Sequence, residues 1–224
     1  MQIRILPSLL AADVGRLEEG ARKAEASGGD GLHIDIMDGH FVPNLSMGPA
    51  VVKMAKRCVK FPLNVHLMMT QPDRYVKAFA DAGADALLIH IEADCNVPEV
   101  LETIRQRGVR PGITLNPETP ADRVFDVMPK VSEVLCMTVP PGYGGQPFVR
   151  EVLKKIKILR VHAREAQFPD LDILVDGGID ASTVGPCAEA GANVFVAGTS
   201  LYSAADMARE ITLFRRLASK AAAT

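Results

Sequence analysis

Residues 32–44 read Leu32-His33-Ile34-Asp35-Ile36-Met37-Asp38-Gly39-His40-Phe41-Val42-Pro43-Asn44. The first half alternates. A strand with a side-chain period of two puts Leu32, Ile34 and Ile36 on one face and His33, Asp35 and Met37 on the other. One face is apolar, and the other carries a base, an acid and a thioether. An imidazole and a carboxylate on a buried face each cost kilocalories unless they are paired or bound to something. A satisfied His–Asp pair at a strand end would meet that demand, and so would a site. The pattern recurs in Asn64-Val65-His66-Leu67-Met68 and in Leu174-Val175-Asp176-Gly177-Gly178, which favours a site assembled from several strands.

Outward from this stretch the chain repeats one unit: a β-rich run, a polar loop, an amphipathic segment of helical length and a small-residue turn. Strands are expected at 3–6, 32–36, 63–67, 86–90, 110–115, 134–137, 172–175 and 194–197. Helices are expected at 14–26, 49–57, 72–81, 98–106, 121–128, 148–165, 182–189 and 204–220. Pro49, Pro72 and Pro98 stand near helix starts, where a missing N–H costs little. The turns Ala26-Ser27-Gly28-Gly29-Asp30, Ala82-Gly83-Ala84-Asp85 and Ala190-Gly191-Ala192-Asn193 read as left-handed glycines ending a helix before the chain re-enters the sheet. Strict alternation without a linker predicts a parallel sheet in one domain spanning 1–224. Eight such units point to a closed (β/α)8 TIM barrel, usually of about 250 residues. The alternative, a doubly wound open sheet, calls for a glycine-rich turn after the first strand, and Pro7-Ser8-Leu9-Leu10-Ala11 has none.

The length of 224 residues allows a sizeable core. A formal charge of −2 offers no electrostatic footprint for nucleic acid. Apolar residues make up 48% of the chain, yet no run approaches the roughly 20 needed to span a bilayer. Met1 leads into Ile3-Arg4-Ile5-Leu6 without the charged head and apolar centre of a secretory signal. The expectation is a cytoplasmic protein with no nucleic-acid or membrane partner. Cys58, Cys95, Cys136 and Cys187 stand singly, with no Cys-x-x-Cys pair, and read as reduced thiols.

In a barrel the active site lies at the carboxyl ends of the strands. Ser8, His33, Asp35, His66 and Asp176 all fall there. So do the glycine segments Gly142-Tyr143-Gly144-Gly145-Gln146, Gly177-Gly178 and Gly198-Thr199-Ser200. The last two occupy the usual barrel phosphate position, and none of the three contains Lys or Arg. An anion held there would rest on backbone amides and dipoles. Two histidines and two carboxylates converging from separate strands could ligate one divalent cation: zinc, iron, manganese or cobalt rather than magnesium or calcium. A cation between two carboxylates suggests proton chemistry beside a carbonyl, with an enediolate made accessible. Removing a proton on one face and returning it on the other inverts a stereocentre.

Leu6-Pro7-Ser8 with Ala12-Asp13, the whole of 33–44, His66-Leu67-Met68, Pro141-Gly142-Tyr143-Gly144-Gly145-Gln146 and Val175-Asp176-Gly177-Gly178-Ile179 together resemble the ribulose-phosphate 3-epimerases. The likeness runs in order from Leu6 to about Leu201. It implies a ketose phosphate substrate and one divalent metal held by His33, Asp35, His66 and Asp176, with Asp35 and Asp176 also acting as acid and base. It further implies a sulfur cap from Met37, Met68 and Met137, a sugar contact from Ser8, and a phosphate surrounded by Gly142, Tyr143, Gly144, Gly145, Gly177, Gly178, Gly198 and Thr199. The methionines read equally as core filler. The resemblance favours interconversion of D-ribulose 5-phosphate and D-xylulose 5-phosphate. The same reaction on D-allulose 6-phosphate, or a sugar-phosphate-binding barrel without turnover, is the alternative. Pro140 departs from the family, which usually has Asn before the Pro-Gly, and it removes an N–H at the loop entrance. A homo-oligomer is expected, and the length and position of residues 41–46 are compatible with a loop that closes over substrate, which the sequence does not decide. His40 and His90 read as structural, and His162 as solvated.

Overall fold

The computed structural model describes residues 2–223, so Met1 and Thr224, with what was expected of them, lie outside the described residues. Eight parallel strands form the centre: β1 (Arg4–Pro7), β2 (Leu32–Met37), β3 (Leu63–Met68), β4 (Ala86–His90), β5 (Arg110–Leu115), β6 (Glu133–Met137), β7 (Asp172–Asp176) and β8 (Val194–Ala197). Hydrogen bonding follows the order β1-β8-β7-β6-β5-β4-β3-β2. The remaining seam, between β1 and β2, is crossed by a bridge from Ser8 to His33. The result is a nearly closed (β/α)8 TIM barrel.

Around it lie α1 (Leu17–Ala26), α2 (Pro49–Cys58), α3 (Val76–Ala82), α4 (Val97–Gln106), α5 (Val152–Glu165), α6 (Val184–Ala190), α7 (Thr199–Tyr202) and α8 (Met207–Ala222). Strand alternation sorts the core into two layers. Leu32, Ile34 and Ile36 join Ile5, Val65, Ile89 and Phe195 in the large cluster beneath the helices. Side chains of the opposite parity, Leu6, Leu88, Leu135, Leu174 and Val196, pack together inside the ring. Burying one such side chain contributes about 1.5–3 kcal/mol. His33 and Asp35 share the inward parity, so the chemistry is carried by the wall of the barrel itself. At the opposite end of the ring Arg4 pairs with Asp172, and Asn64 donates to the buried Glu133 at 2.7 Å.

The strands match the expected ones to within a residue at either end, whereas several helices begin later than expected. The segment 14–26 opens with a 3-10 turn, Val14–Arg16, and 72–81 with another, Pro72–Arg74. Helix α5 starts at Val152 because the backbone just before it serves the sheet: Val149 N donates to Thr138 O at 2.8 Å. The helix expected at 121–128 is replaced by two 3-10 turns, Ala121–Val124 and Met128–Lys130. Pro120 and Pro129 bracket this stretch, and a proline disfavours the α conformation in the residue before it. His162 is half-buried rather than solvated, its ring stacked on Phe125 with centroids 3.7 Å apart. The four cysteines are free thiols. Among the described residues no helix is long and apolar enough to cross a membrane.

The helix-ending glycines are left-handed as expected, Gly28 at φ +83°, Gly83 at +101° and Gly191 at +115°. At Gly83 a Cβ would also lie 2.6 Å from Lys56 Cγ. Lys56 in turn grips both oxygens of Asp85, which accepts from Leu63 N at the start of β3. Gly108, at φ +74°, has nothing within 4 Å of a Cβ. Urea denaturation of Gly108→Ala should report the conformational cost alone, about 1 kcal/mol. Gly83→Ala should lose roughly twice that, because it adds the clash.

Candidate active site

Asp35 sits at the end of β2, 3% exposed, with both oxygens engaged. Its Oδ2 accepts from Ser8 Oγ at 2.7 Å. Its Oδ1 faces His66 Nδ1 at 3.1 Å and His33 Nε2 at 3.2 Å. Asp176, closing β7, brings Oδ2 to 3.9 Å from His33 Nε2. One ligand atom from each of His33, Asp35, His66 and Asp176 lies within 4.8 Å of the others. Four residues spread over 144 positions of sequence meet because β2, β3 and β7 end at one mouth of the ring.

The histidine environment bears on what such a cluster can hold. Asn64 Nδ2 donates to Glu133, which leaves its Oδ1 to accept from His33 Nδ1 at 2.7 Å. The Nε2 of His33 then faces two carboxylates, fully buried and without an aligned hydrogen-bond partner. A bare nitrogen in that position calls for a cation, either a proton or a metal ion. Two imidazole nitrogens and two carboxylate oxygens at this spacing fit a divalent metal of borderline softness.

Without a metal, the charges sort themselves by proton. Burial alone would drive His33 down, but the adjacent Asp35 carboxylate outweighs it and raises His33 to about 9. Burial works against ionised Asp35, yet the charge of His33 beside it holds it well below the usual carboxylate range. Burial and then the charge of Asp35 push Asp176 up to about 7. Burial lowers His66 to about 4.

Above these groups opens a pocket of about 540 Å³. It is lined by Ser8, Asp35 and Asp176, by Met37, Met68 and Met137, and by the glycine segments with Tyr143 and Thr199. His33 and His66 lie just beneath, with no exposure. Leu10, Ala11, Val139 and Asp180 also line it and were given no role from the sequence, since none belongs to a recurring pattern; Gln146 and Ser200, quoted with the glycine segments, line it as well. Asn64 was missed as a partner of His33, although it shares the inward face of β3 with His66. Among the described residues no Lys or Arg lines the pocket. Pro140 is exposed and stands outside the lining. Its carbonyl accepts from Gln146 Nε2 at 2.7 Å, which closes the turn around 142–145. The segment 41–46 is tied across the mouth to this turn: Asn44 Nδ2 donates to Gly142 O at 2.8 Å, and Tyr143 OH to Pro43 O at 2.7 Å.

Fold and site define a (β/α)8 barrel enzyme with paired carboxylates under a pocket free of basic side chains. The sequence matches the Ribulose-phosphate 3 epimerase family over residues 4–202, and the chain belongs to that family. By that membership it is an isomerase. A ribulose-phosphate 3-epimerase of Bacillus subtilis is 44% identical, the match covering 95% of this chain and 98% of the relative. The ribulose-phosphate 3-epimerase of Escherichia coli is 40% identical over 96% and 95% of the two chains. The fold alone is shared with 3-hexulose-6-phosphate synthase from Salmonella typhimurium, at a TM-score of 0.71 and 16% identity over 98% and 100% of the chains.

Asp176 holds its proton more tightly folded than unfolded, so its contribution favours the fold at low pH and is lost as pH rises from about 4 through about 7. In chelator, Asp176→Asn should therefore gain stability relative to the parent across that window and level off above it. Urea melts at stepped pH measure the difference, and a constant difference would contradict the raised pKa.

Proposed function

We propose that the protein interconverts D-ribulose 5-phosphate and D-xylulose 5-phosphate by proton transfer at C3, dependent on one divalent metal. The observation that carries the reading is the convergence of two carboxylates with two imidazoles: Asp35 and Asp176 line the floor of the pocket, and one ligand atom from each of His33, Asp35, His66 and Asp176 lies within 4.8 Å of the others. Two carboxylates beside one substrate carbon can serve as base and acid. Asp35, ionised and oriented by Ser8, removes the C3 proton to give an enediolate. Asp176 supplies a proton to the opposite face, inverting that carbon. In the reverse direction the roles exchange. The metal, held by His33, Asp35, His66 and Asp176, would polarise the substrate's oxygens and lower the acidity barrier at C3.

Met37, Met68 and Met137, each buried and each on the pocket wall, offer a flat anion a polarizable surface without hydrogen bonds. The phosphate is placed against the amides of Gly178, Gly198 and Thr199 where α7 begins, with the turn at 142–145 opposite. Anion binding by amides and dipoles agrees with a lining that holds no cationic side chain. The family relatives support the pentulose over the hexulose, and the position of Pro140 outside the lining agrees with an undisturbed phosphate turn. The chain is read as one domain, cytoplasmic and a homo-oligomer; a rice relative 42% identical is described as a cytoplasmic isoform.

Chelation should abolish turnover, and zinc, iron, manganese or cobalt should restore it. With metal restored, D-ribulose 5-phosphate should be preferred over D-allulose 6-phosphate, and the reverse preference would overturn the substrate assignment. In deuterated water, product should carry solvent deuterium at C3, since the departing and arriving protons sit on different carboxyls. Asp35→Asn should lose at least about 10³-fold in kcat while its melting curve stays cooperative. An active Asp35→Asn variant would sink the two-carboxylate mechanism.

A further inference from the structure

His90, at the end of β4, is fully buried and belongs to no motif. Its Nε2 lies 2.8 Å from His66 Nε2, and its Nδ1 lies 3.1 Å from Glu92 Oε2. The other Glu92 oxygen accepts from Asn116 N at 2.9 Å and from Thr119 Oγ1. The loop supplying those donors is itself held by Lys155 Nζ, which donates to Asn116 O and Pro117 O at 2.5 and 2.8 Å. Phe41 closes the other side of His90, with ring centroids 4.5 Å apart.

This chain of contacts has a direction. An ionised carboxylate can only accept, so the Nδ1 of His90 carries a hydrogen toward Glu92. Neutral His90 then presents a bare Nε2. Two ring nitrogens 2.8 Å apart share one hydrogen, which therefore belongs to His66 Nε2. His66 is left with a bare Nδ1, and that atom is the one facing Asp35 Oδ1 at 3.1 Å. The nitrogen that the metal reading requires as a ligand is thus selected from outside the cluster, beginning at Glu92.

We propose that His90, oriented by Glu92, is a positioning residue that locks His66 in the tautomer whose Nδ1 is free to bind the metal. The inference rests on the metal reading above. Outer partners of this kind are worth roughly 10–100-fold in metal affinity. His90→Leu fills most of the volume but cannot accept the His66 hydrogen. His90→Gln can, because its amide oxygen reaches about as far as Nε2 does.

The test is cobalt affinity of the purified parent and variants, by chelator competition and by the visible cobalt spectrum, with metal-free melting curves alongside. His90→Leu should bind roughly 10–100-fold more weakly than the parent, and His90→Gln should stay within a few-fold of it. Should His90→Leu fail to fold, Glu92→Leu, at a partly exposed position, should weaken cobalt in the same direction by freeing the tautomer. Parent-like binding by the leucine variants would overturn the proposal. An equal loss in His90→Gln would do the same, because it would reduce His90 to packing against Phe41. A parent that binds no cobalt would defeat the metal reading and this inference with it.

Discussion

Asp35 is a carboxylate with almost no access to water, and an isolated buried charge costs several kilocalories. Its neighbours answer that cost. Ser8 reaches across the seam from β1 to donate, His33 on the same strand brings a positive charge, and Asp176 gives way by holding its proton to higher pH. The barrel makes the arrangement possible, because parallel strands deliver their ends to one rim and inward parity brings these side chains to a common axis. A pair of carboxylates that would repel in isolation becomes a differentiated pair, one low and one high.

Much of this could be read in the chain because strands have a period of two. His33, Asp35 and Met37 declared an inward face before any coordinates, and His66 with Met68 repeated it. The segment after β5 misled because its amphipathic pattern looked helical, while Pro120 and Pro129 left too little chain between them for an α-helix to outweigh their restrictions. His162 looked solvated from its helix position, and its partner Phe125 lies 37 positions away in a stretch whose conformation was itself misjudged. His90 and Asn64 were silent for a different reason. Their significance lies in which nitrogen of a neighbour they touch, and no periodicity encodes a tautomer.

The departure at Pro140 is instructive in the same way. Pro140 removes a donor at the entrance of the glycine turn, and sequence alone could not say whether that donor faced the pocket. Its exposed position, with the carbonyl caught by Gln146, puts Pro140 on the outer side of the loop. What remains inside is mostly backbone and small side chains, and such a wall would offer an anion amides rather than a counter-charge.

The ring order also bears on how the protein is made. β1 pairs with β8, Arg4 opposite Val194, so the first strand of the ring acquires one of its neighbours only after the other seven have been synthesised. Until then one edge of β1 is open, and an open parallel edge is a site for wrong partners. Ser8 ends that strand and reaches Asp35. Ser8 N also donates to Ala197 O at 3.0 Å, so the residue that reaches Asp35 is anchored on both sides only when the last strand of the ring is in place.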